Sequence, residues 1–440
     1  MATWVWRIGT GLECNRWLGR GTGIGAALAL VLTAADRAFA EQGQPDPGDT
    51  AWLLVSSALV MLMLPGLALF YGGMVRTKNV LSSLMHSFVA LAVIGLQWVV
   101  LGYSLSFAKG NAFLGGLDHL LLLGITPESL TGSVPTYAFV MFQGMFAIIT
   151  PALISGALAE RMKFSTYLVF ILAWAVLVYD PVAHWVWGGG WLGRLGALDF
   201  AGGTVVHLSS GASALAMALL LGKRRGYPHE MFVPHNLTHT LLGAGLLWFG
   251  WFGFNAGSAL AANGNAALAF TTTMVAAAAA ATSWMLMEWI VLGKPSALGV
   301  ASGIVAGLVA VTPAAGFVTP GWAIVIGLSA GFLCFYGVQL KYKIDCDDSL
   351  DVVGIHGIGG AWGALATGLV ATVGAGSLIT GNLGQIGVQA LSVLASGGYA
   401  FVVTYVLATV LDKTMGLRVS DEQEIIGLDK ELHGEVGYNL

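Results

Sequence analysis

Two histidines stand in apolar surroundings, and each heads a run of small residues. His207 lies in "DFAGGTVVHLSSG" (Asp199 to Gly211), and His356 lies in "DVVGIHGIGG" (Asp351 to Gly360). A lone histidine among packed helices is most often a hydrogen-bonded core residue. Two at matching places are a stronger signal, because ionisable groups inside membrane spans are expensive and tend to line polar pathways. Neighbouring imidazoles can share a proton and pass it on. A second constellation is aromatic. Trp187 falls in "WVWGGGW", Phe142 and Phe146 in "MFQGMF", and Trp248, Trp251, Phe252, Phe254 and Ser258 in "WFGWFGFNAGS". Most of the 15 tryptophans fit an interfacial belt. Three aromatic groups converging with one hydroxyl would also form a cup that holds a small cation by its ring faces. No carboxylate joins the cup, and an anion would find no partner there. Asp199 precedes a glycine-rich helix start, where an aspartate caps orphan amides. Asp351 is expected to do the same before His356.

Other chemistries lack their residues. There is no HExxH; "HEMFV" from His229 misses the second histidine. Cys14, Cys334 and Cys346 are far apart, which leaves neither a disulfide framework nor a metal-type spacing. A nucleophile elbow is absent. No metal, cofactor or enzyme activity is therefore expected, and a net charge of −4 makes nucleic acid a poor partner.

The elements that must position these residues are membrane spans. The 440 residues are 56% hydrophobic, and only 10% are charged, against about 25% in a soluble domain. Eleven segments long enough to cross a bilayer begin near Ala51, Val80, Thr136, Phe164, Gly203, Leu237, Ala266, Ser296, Gly321, Val353 and Gly384. Glycine at every fourth residue in "GVASGIVAG" gives one of them a smooth face for close packing. If the first span enters from outside, the inner loops and tail hold Arg76, Lys78, Arg161, Lys163, Lys223, Arg224, Arg225, Lys294, Lys341, Lys343, Lys413, Arg418 and Lys430. The outer loops hold only Lys109 and Arg194. This bias sets the N-terminus outside and the C-terminus inside. Residues 1–40 read as a signal peptide, with "AFA" before a cleavage point at Glu41. The fifth and tenth spans carry the two histidine motifs and run in opposite directions. That predicts an inverted five-helix repeat with its site near the midplane, plus one additional helix. The expected fold is an all-α polytopic membrane protein with eleven transmembrane helices, residues 41–412 forming the transmembrane domain and 413–440 a cytoplasmic tail.

At these residues the chain resembles the Amt/Mep/Rh ammonium transporter family, most closely its bacterial and plant Amt branch. The resemblance runs through "FYGGMVRTKNVLS", "GALAERMKF", "AHWVWGGGW", "DFAGGTVVHLSSG", "GWFGFNAGS" and "DVVGIHGIGG", and covers residue 50 to the end. It implies a homotrimer with one pore per subunit in the bacterial cytoplasmic membrane, importing ammonium or methylammonium. Carried over, Phe142, Phe146, Trp187 and Ser258 form an outer recruitment site, and Phe146 and Phe254 stack as a gate. His207 and His356 are the paired pore histidines, and Asp199 is the stabilising acid. The tail "EIIGLDKELHGEVGYNL" implies a docking surface for a PII-type signal protein. One departure is Thr238 after "NL", where the family more often has proline. The alternatives are an ammonium sensor of the same family and a passive channel for neutral gas.

Overall fold

The computed structural model describes residues 43–439. The expected signal peptide and its cleavage point lie outside these residues. Among the described residues the chain forms eleven long helical segments. They are α1 (Pro47–Met74), α2 (Thr77–Phe107), α3 (Thr136–Leu158), α4 (Phe164–Arg194), α5 (Gly203–Leu221), α6 (Leu237–Gly257), α7 (Gly264–Leu292), α8 (Ala297–Val311), α9 (Pro320–Lys343), α10 (Val353–Val370) and α11 (Gly384–Thr414). A short α12 (Asp421–Ile426) follows in the tail. Nine of the eleven are long and apolar enough to cross a membrane. The exceptions have simple causes: α8 has 15 residues, and α6 is diluted by His239, Trp248, Trp251 and Asn255. The chain is an all-helical, multi-pass membrane protein.

Local chemistry sets where the helices begin. Pro47 occupies the first turn of α1, and the Asp46 carboxylate accepts from Asp49 N at 2.9 Å. Asn236, Asn263 and Ser296 cap α6, α7 and α8 through their side-chain oxygens. Thr238, in place of proline, donates to the Asn236 cap oxygen at 2.6 Å, so the departure leaves the start of α6 intact. Hydropathy alone places α1 at Ala51 because it does not register the Asp46 cap five residues earlier. The glycine-spaced face of α8 packs as expected. A β-carbon on Gly307 would lie 2.5 Å from the Ala276 carbonyl oxygen of α7, and one on Gly303 would lie 2.8 Å from Trp284 Cβ.

α5 and α10 open alike. Each begins in a widened turn, Gly203–Leu208 and Val353–Gly357, and each carries its histidine there. The cap of α10 corrects one expectation. Asp351 does not cap it; its carboxylate pairs with Lys341 Nζ at 2.6 Å. The cap is Asp348, whose buried carboxylate accepts from Val352 N at 3.1 Å and Val353 N at 2.8 Å. Asp348 stands eight residues before His356, as Asp199 stands eight before His207. The two motifs therefore agree in spacing once the capping acid is chosen by hydrogen bonding rather than by nearness in sequence. Asp348→Asn should accordingly destabilise the detergent-solubilised protein by about 1–3 kcal/mol, because one amide loses its acceptor. Asp351→Asn should cost less than about 1 kcal/mol: its ion pair is partly exposed, and asparagine tolerates the positive φ of 64° found there. Thermal unfolding of the two variants checks the order, and the reverse order would contradict this assignment.

Candidate functional site

His207 and His356 meet. Their Nδ1 atoms are 3.2 Å apart and their rings 5.3 Å centroid to centroid, tilted by 28°. Only one Nδ1 can carry the hydrogen of this bond, so the two rings hold unlike tautomers. The approach depends on glycine. A β-carbon on Gly211 would sit 2.2 Å from Gly357 N and 2.3 Å from Gly357 Cα. Any side chain there would push α5 and α10 apart and separate the imidazoles. Trp251 stacks on His207 at 5.2 Å, with its own Nε1 donating to Thr312 Oγ1 at 2.9 Å. The His207 ring is thus fixed from two sides.

The histidines line a narrow cavity of about 10 Å³, close to the minimum that holds one water-sized molecule. Its other walls are apolar, including Leu67, Ile149, Leu153, Val305 and Phe254. His207 Nε2 is buried there with no hydrogen-bond partner among the described residues. On one side of this cavity Phe254 stacks on Phe146 at 4.2 Å, tilted by 32°. Beyond the pair opens a vestibule of about 310 Å³, lined by Phe146, Trp187 and Ser258. The Phe146 and Trp187 rings stand edge to face at 5.9 Å. Ser258 Oγ donates to Phe254 O at 2.9 Å, which leaves its lone pairs available. A third space, about 400 Å³, lies among Arg224, Phe232, Lys341 and Asp351.

Other sequence candidates fall elsewhere. Phe142 does not line the vestibule. It is fully buried behind Phe146, with rings 5.0 Å apart, and packs where a Gly257 side chain would stand. Trp251 belongs to the inner cavity, and Phe252 stacks outward on Phe270 at 3.9 Å. Trp248 is only partly buried and packs at the edge of the core. The vestibule also includes Phe107, Gln143 and Phe200, which sequence reading missed. Gln143 Oε1 is buried without a hydrogen-bond partner among the described residues. A polar residue between Phe142 and Phe146 in "MFQGMF" was the available signal.

Asp199 is the hub of the outer side. Its carboxylate accepts five hydrogen bonds: Gly202 N at 2.7 Å, Gly203 N at 2.6 Å, Thr204 N at 2.8 Å, Thr204 Oγ1 at 2.6 Å and Val205 N at 3.2 Å. Its carbonyl accepts from Trp187 Nε1 at 2.9 Å. Gly202, with φ at 112°, supplies the turn that aims these amides. One residue therefore caps α5 and holds the vestibule tryptophan.

The sequence and the fold both match proteins of assigned type. The sequence profile described as Ammonium Transporter Family matches residues 51–438. The chain belongs to that family. An ammonium transporter of Bacillus subtilis (strain 168) is 52% identical, over 89% of this chain and 98% of that protein. The crystal structure of Saccharomyces cerevisiae Mep2 superposes with a TM-score of 0.81 at 38% identity, covering 86% of this chain and 89% of that one. A solved structure described as a sensor Amt protein superposes with a TM-score of 0.82 at 30% identity, covering 88% and 98%. Transporter and sensor share this fold, and the family places the chain in a membrane with ammonium as the class of substrate.

The family member's tail is clamped to the loops that carry most of the basic residues. Lys78 Nζ donates to Glu424 O at 2.8 Å, and Arg418 pairs with the Glu424 carboxylate at 2.6 Å. Asp429 accepts from Leu81 N at 3.0 Å and Ser82 N at 2.8 Å at the start of α2. Beneath the tail, Glu160 meets Arg76 at 2.8 Å, and Asp347 meets Arg224 at 2.8 Å. Burial alone would raise the Glu160 carboxyl; the Arg224 and Arg76 guanidiniums outweigh it and hold it below its usual value.

Proposed function

We propose that this protein imports ammonium across the bacterial cytoplasmic membrane by catching the cation outside and conducting ammonia. Phe146, Trp187 and Ser258 form the recruitment site, with Phe142 bracing Phe146 from behind. Ring faces supply cation–π attraction, and the free oxygens of Ser258 and Gln143 accept N–H bonds. The Phe146–Phe254 pair is the gate. Magnitudes then fix the chemistry past it. A cation–π contact contributes about 0.5–2 kcal/mol, whereas stripping an ammonium-sized ion of water costs at least several kcal/mol. The dry cavity offers nothing to offset that cost. Deprotonation removes it: ammonia passes the imidazoles and the proton travels along His207 and His356. Asp199 sets the electrostatics and geometry of the entrance.

The single observation that carries this reading is the 3.2 Å imidazole pair lining a one-molecule apolar cavity directly behind a stacked phenyl gate. The equal acid-to-histidine spacing and the packing of α1 on α6 and α5 on α10 support an inverted five-helix repeat, with α11 outside it. On that reading the chain spans the membrane eleven times, N-terminus out and C-terminus in. Residues 1–40 are a cleaved leader, 41–412 the transporter domain and 413–440 the cytoplasmic tail. The protein is a homotrimer, and its clamped tail is the surface on which a PII-type signal protein docks.

Methylammonium flux into proteoliposomes tests the function. Wild-type protein should give saturable uptake, and Trp187→Leu should raise KM about 3–30-fold, the range of one cation–π contact. The similarity to a sensor structure gives the second reading its weight. Binding without flux would favour the sensor, and flux without saturation would favour a neutral-gas channel.

A further inference from the structure

The eleventh helix lies outside the two five-helix halves, yet it holds the segment that leads into Asp199. Gln389 of α11 is fully buried. Its Oε1 accepts from Leu198 N at 2.7 Å, and its Nε2 donates to Leu198 O at 2.8 Å and to Ala364 O of α10 at 2.9 Å. One carboxamide thus takes both backbone groups of one residue, as a neighbouring strand would, and uses its second hydrogen on the helix that carries His356. One turn earlier, Gln385 Nε2 donates to Gly196 O at 2.9 Å. The segment held in this way ends at Asp199, which caps α5 through its carboxylate and receives the Trp187 indole on its carbonyl.

Without the glutamines, both backbone groups of the half-buried Leu198 and the carbonyl of Gly196 would lose these protein partners. A leucine would fill the Gln389 site at no desolvation cost, so a buried amide there needs a reason. Its bonds supply one. They fix the residue next to Asp199 in both directions along the chain and tie it to α10. A shift of that segment moves the Asp199 carbonyl, and the indole that depends on it.

We infer that Gln389 is a positioning residue for outer cation recruitment, clamping the 196–199 segment so that Trp187 keeps its place over the vestibule. The inference rests on the transport reading above. It also assigns a task to α11, which the repeat alone leaves without one.

The test is a KM and Vmax measurement with methylammonium in proteoliposomes, using assembled full-length protein. Gln389→Leu leaves Leu198 N and O without their partner and removes the bond to Ala364 O that is additional to its helical one. It should raise KM roughly tenfold with Vmax within about twofold of wild type, the scale of one or two buried hydrogen bonds. Gln389→Glu keeps the size but loses both donors, and should act in the same direction. The readout that a general packing role would not move is coupling to the tryptophan. In a Trp187→Leu background, Gln389→Leu should add little further rise in KM. An unchanged KM, a loss confined to Vmax, or full additivity with Trp187→Leu would each overturn the inference. Should Gln389→Leu not assemble, Gln389→Glu and Gln385→Leu carry the same expectation, and a wild-type KM in both would overturn it. Absence of saturable flux in the wild type would instead overturn the transport reading, which keeps the two failures apart.

Discussion

Replacing His207 with leucine is expected to abolish ammonium-specific current while leaving the folded protein intact. Leucine fits a cavity already walled by Leu67, Leu153 and Val305, so packing is largely kept. What disappears is the 3.2 Å Nδ1 bond to His356 and with it the path for the proton. A positioned proton-transfer group contributes about 10²–10⁴-fold to the rate of a step that needs it. The remaining His356 Nδ1 loses its partner, a penalty of about 1–3 kcal/mol that the melting temperature should register without unfolding the protein. Two current traces agree with this expectation: none, or one that no longer discriminates against potassium. A wild-type ammonium current in His207→Leu would show the pair to be structural. Failure to fold would point the same way.

The second large effect is expected at Asp199. Asparagine has nearly the same shape, but one of its two terminal atoms is a donor. If the remaining oxygen keeps Gly202 N and Gly203 N, the NH2 group faces Thr204 Oγ1 and the obligate donors Thr204 N and Val205 N. The Thr204 hydroxyl can turn to accept from the NH2 group, but the bonds from Thr204 N and Val205 N to a charged acceptor become donor–donor contacts at a buried helix start. Each such bond contributes about 1.5–3 kcal/mol, and although the losses do not simply add, Asp199→Asn should cost at least about 3 kcal/mol. The tryptophan held by the Asp199 carbonyl should loosen with it, so methylammonium KM should rise in whatever protein survives. Thermal unfolding and uptake on the same preparation check both effects. A variant as stable as wild type would mean that the carboxylate is not the cap on which α5 depends.

The sequence made the centre of this site legible because two similar motifs of opposite direction predict that their histidines meet. The gate and the tryptophan were legible through family resemblance, since aromatic residues in a membrane protein are otherwise absorbed by the interfacial belt. Other parts were hidden for physical reasons. Asp348 was passed over for Asp351 because nearness in sequence is a poor guide to capping: an acid three residues further back reaches the amides better when the chain between turns through a positive φ at Asp351. Phe142 falls one helical turn from Phe146, but α3 presents Gln143 and Phe146 to the vestibule while Phe142 turns into the α1–α6 contact, which spacing alone does not reveal. Phe107 and Phe200 reach the vestibule from segments separated from α3 and α6, so no local pattern joins them. Gln389 is one of several polar residues in a long, mainly apolar helix, and its role depends on a loop 191 residues away.

The central claim is that the substrate is bound as a cation and crosses the narrow cavity as a neutral molecule, with its proton on a separate route. Current recording on purified protein in a solid-supported membrane tests this most directly. An ammonium step should give a positive inward current that saturates, with little response to equal steps of sodium or potassium. Electrical silence under a gradient shown in the same preparation to move ammonia would contradict the proton route along His207 and His356.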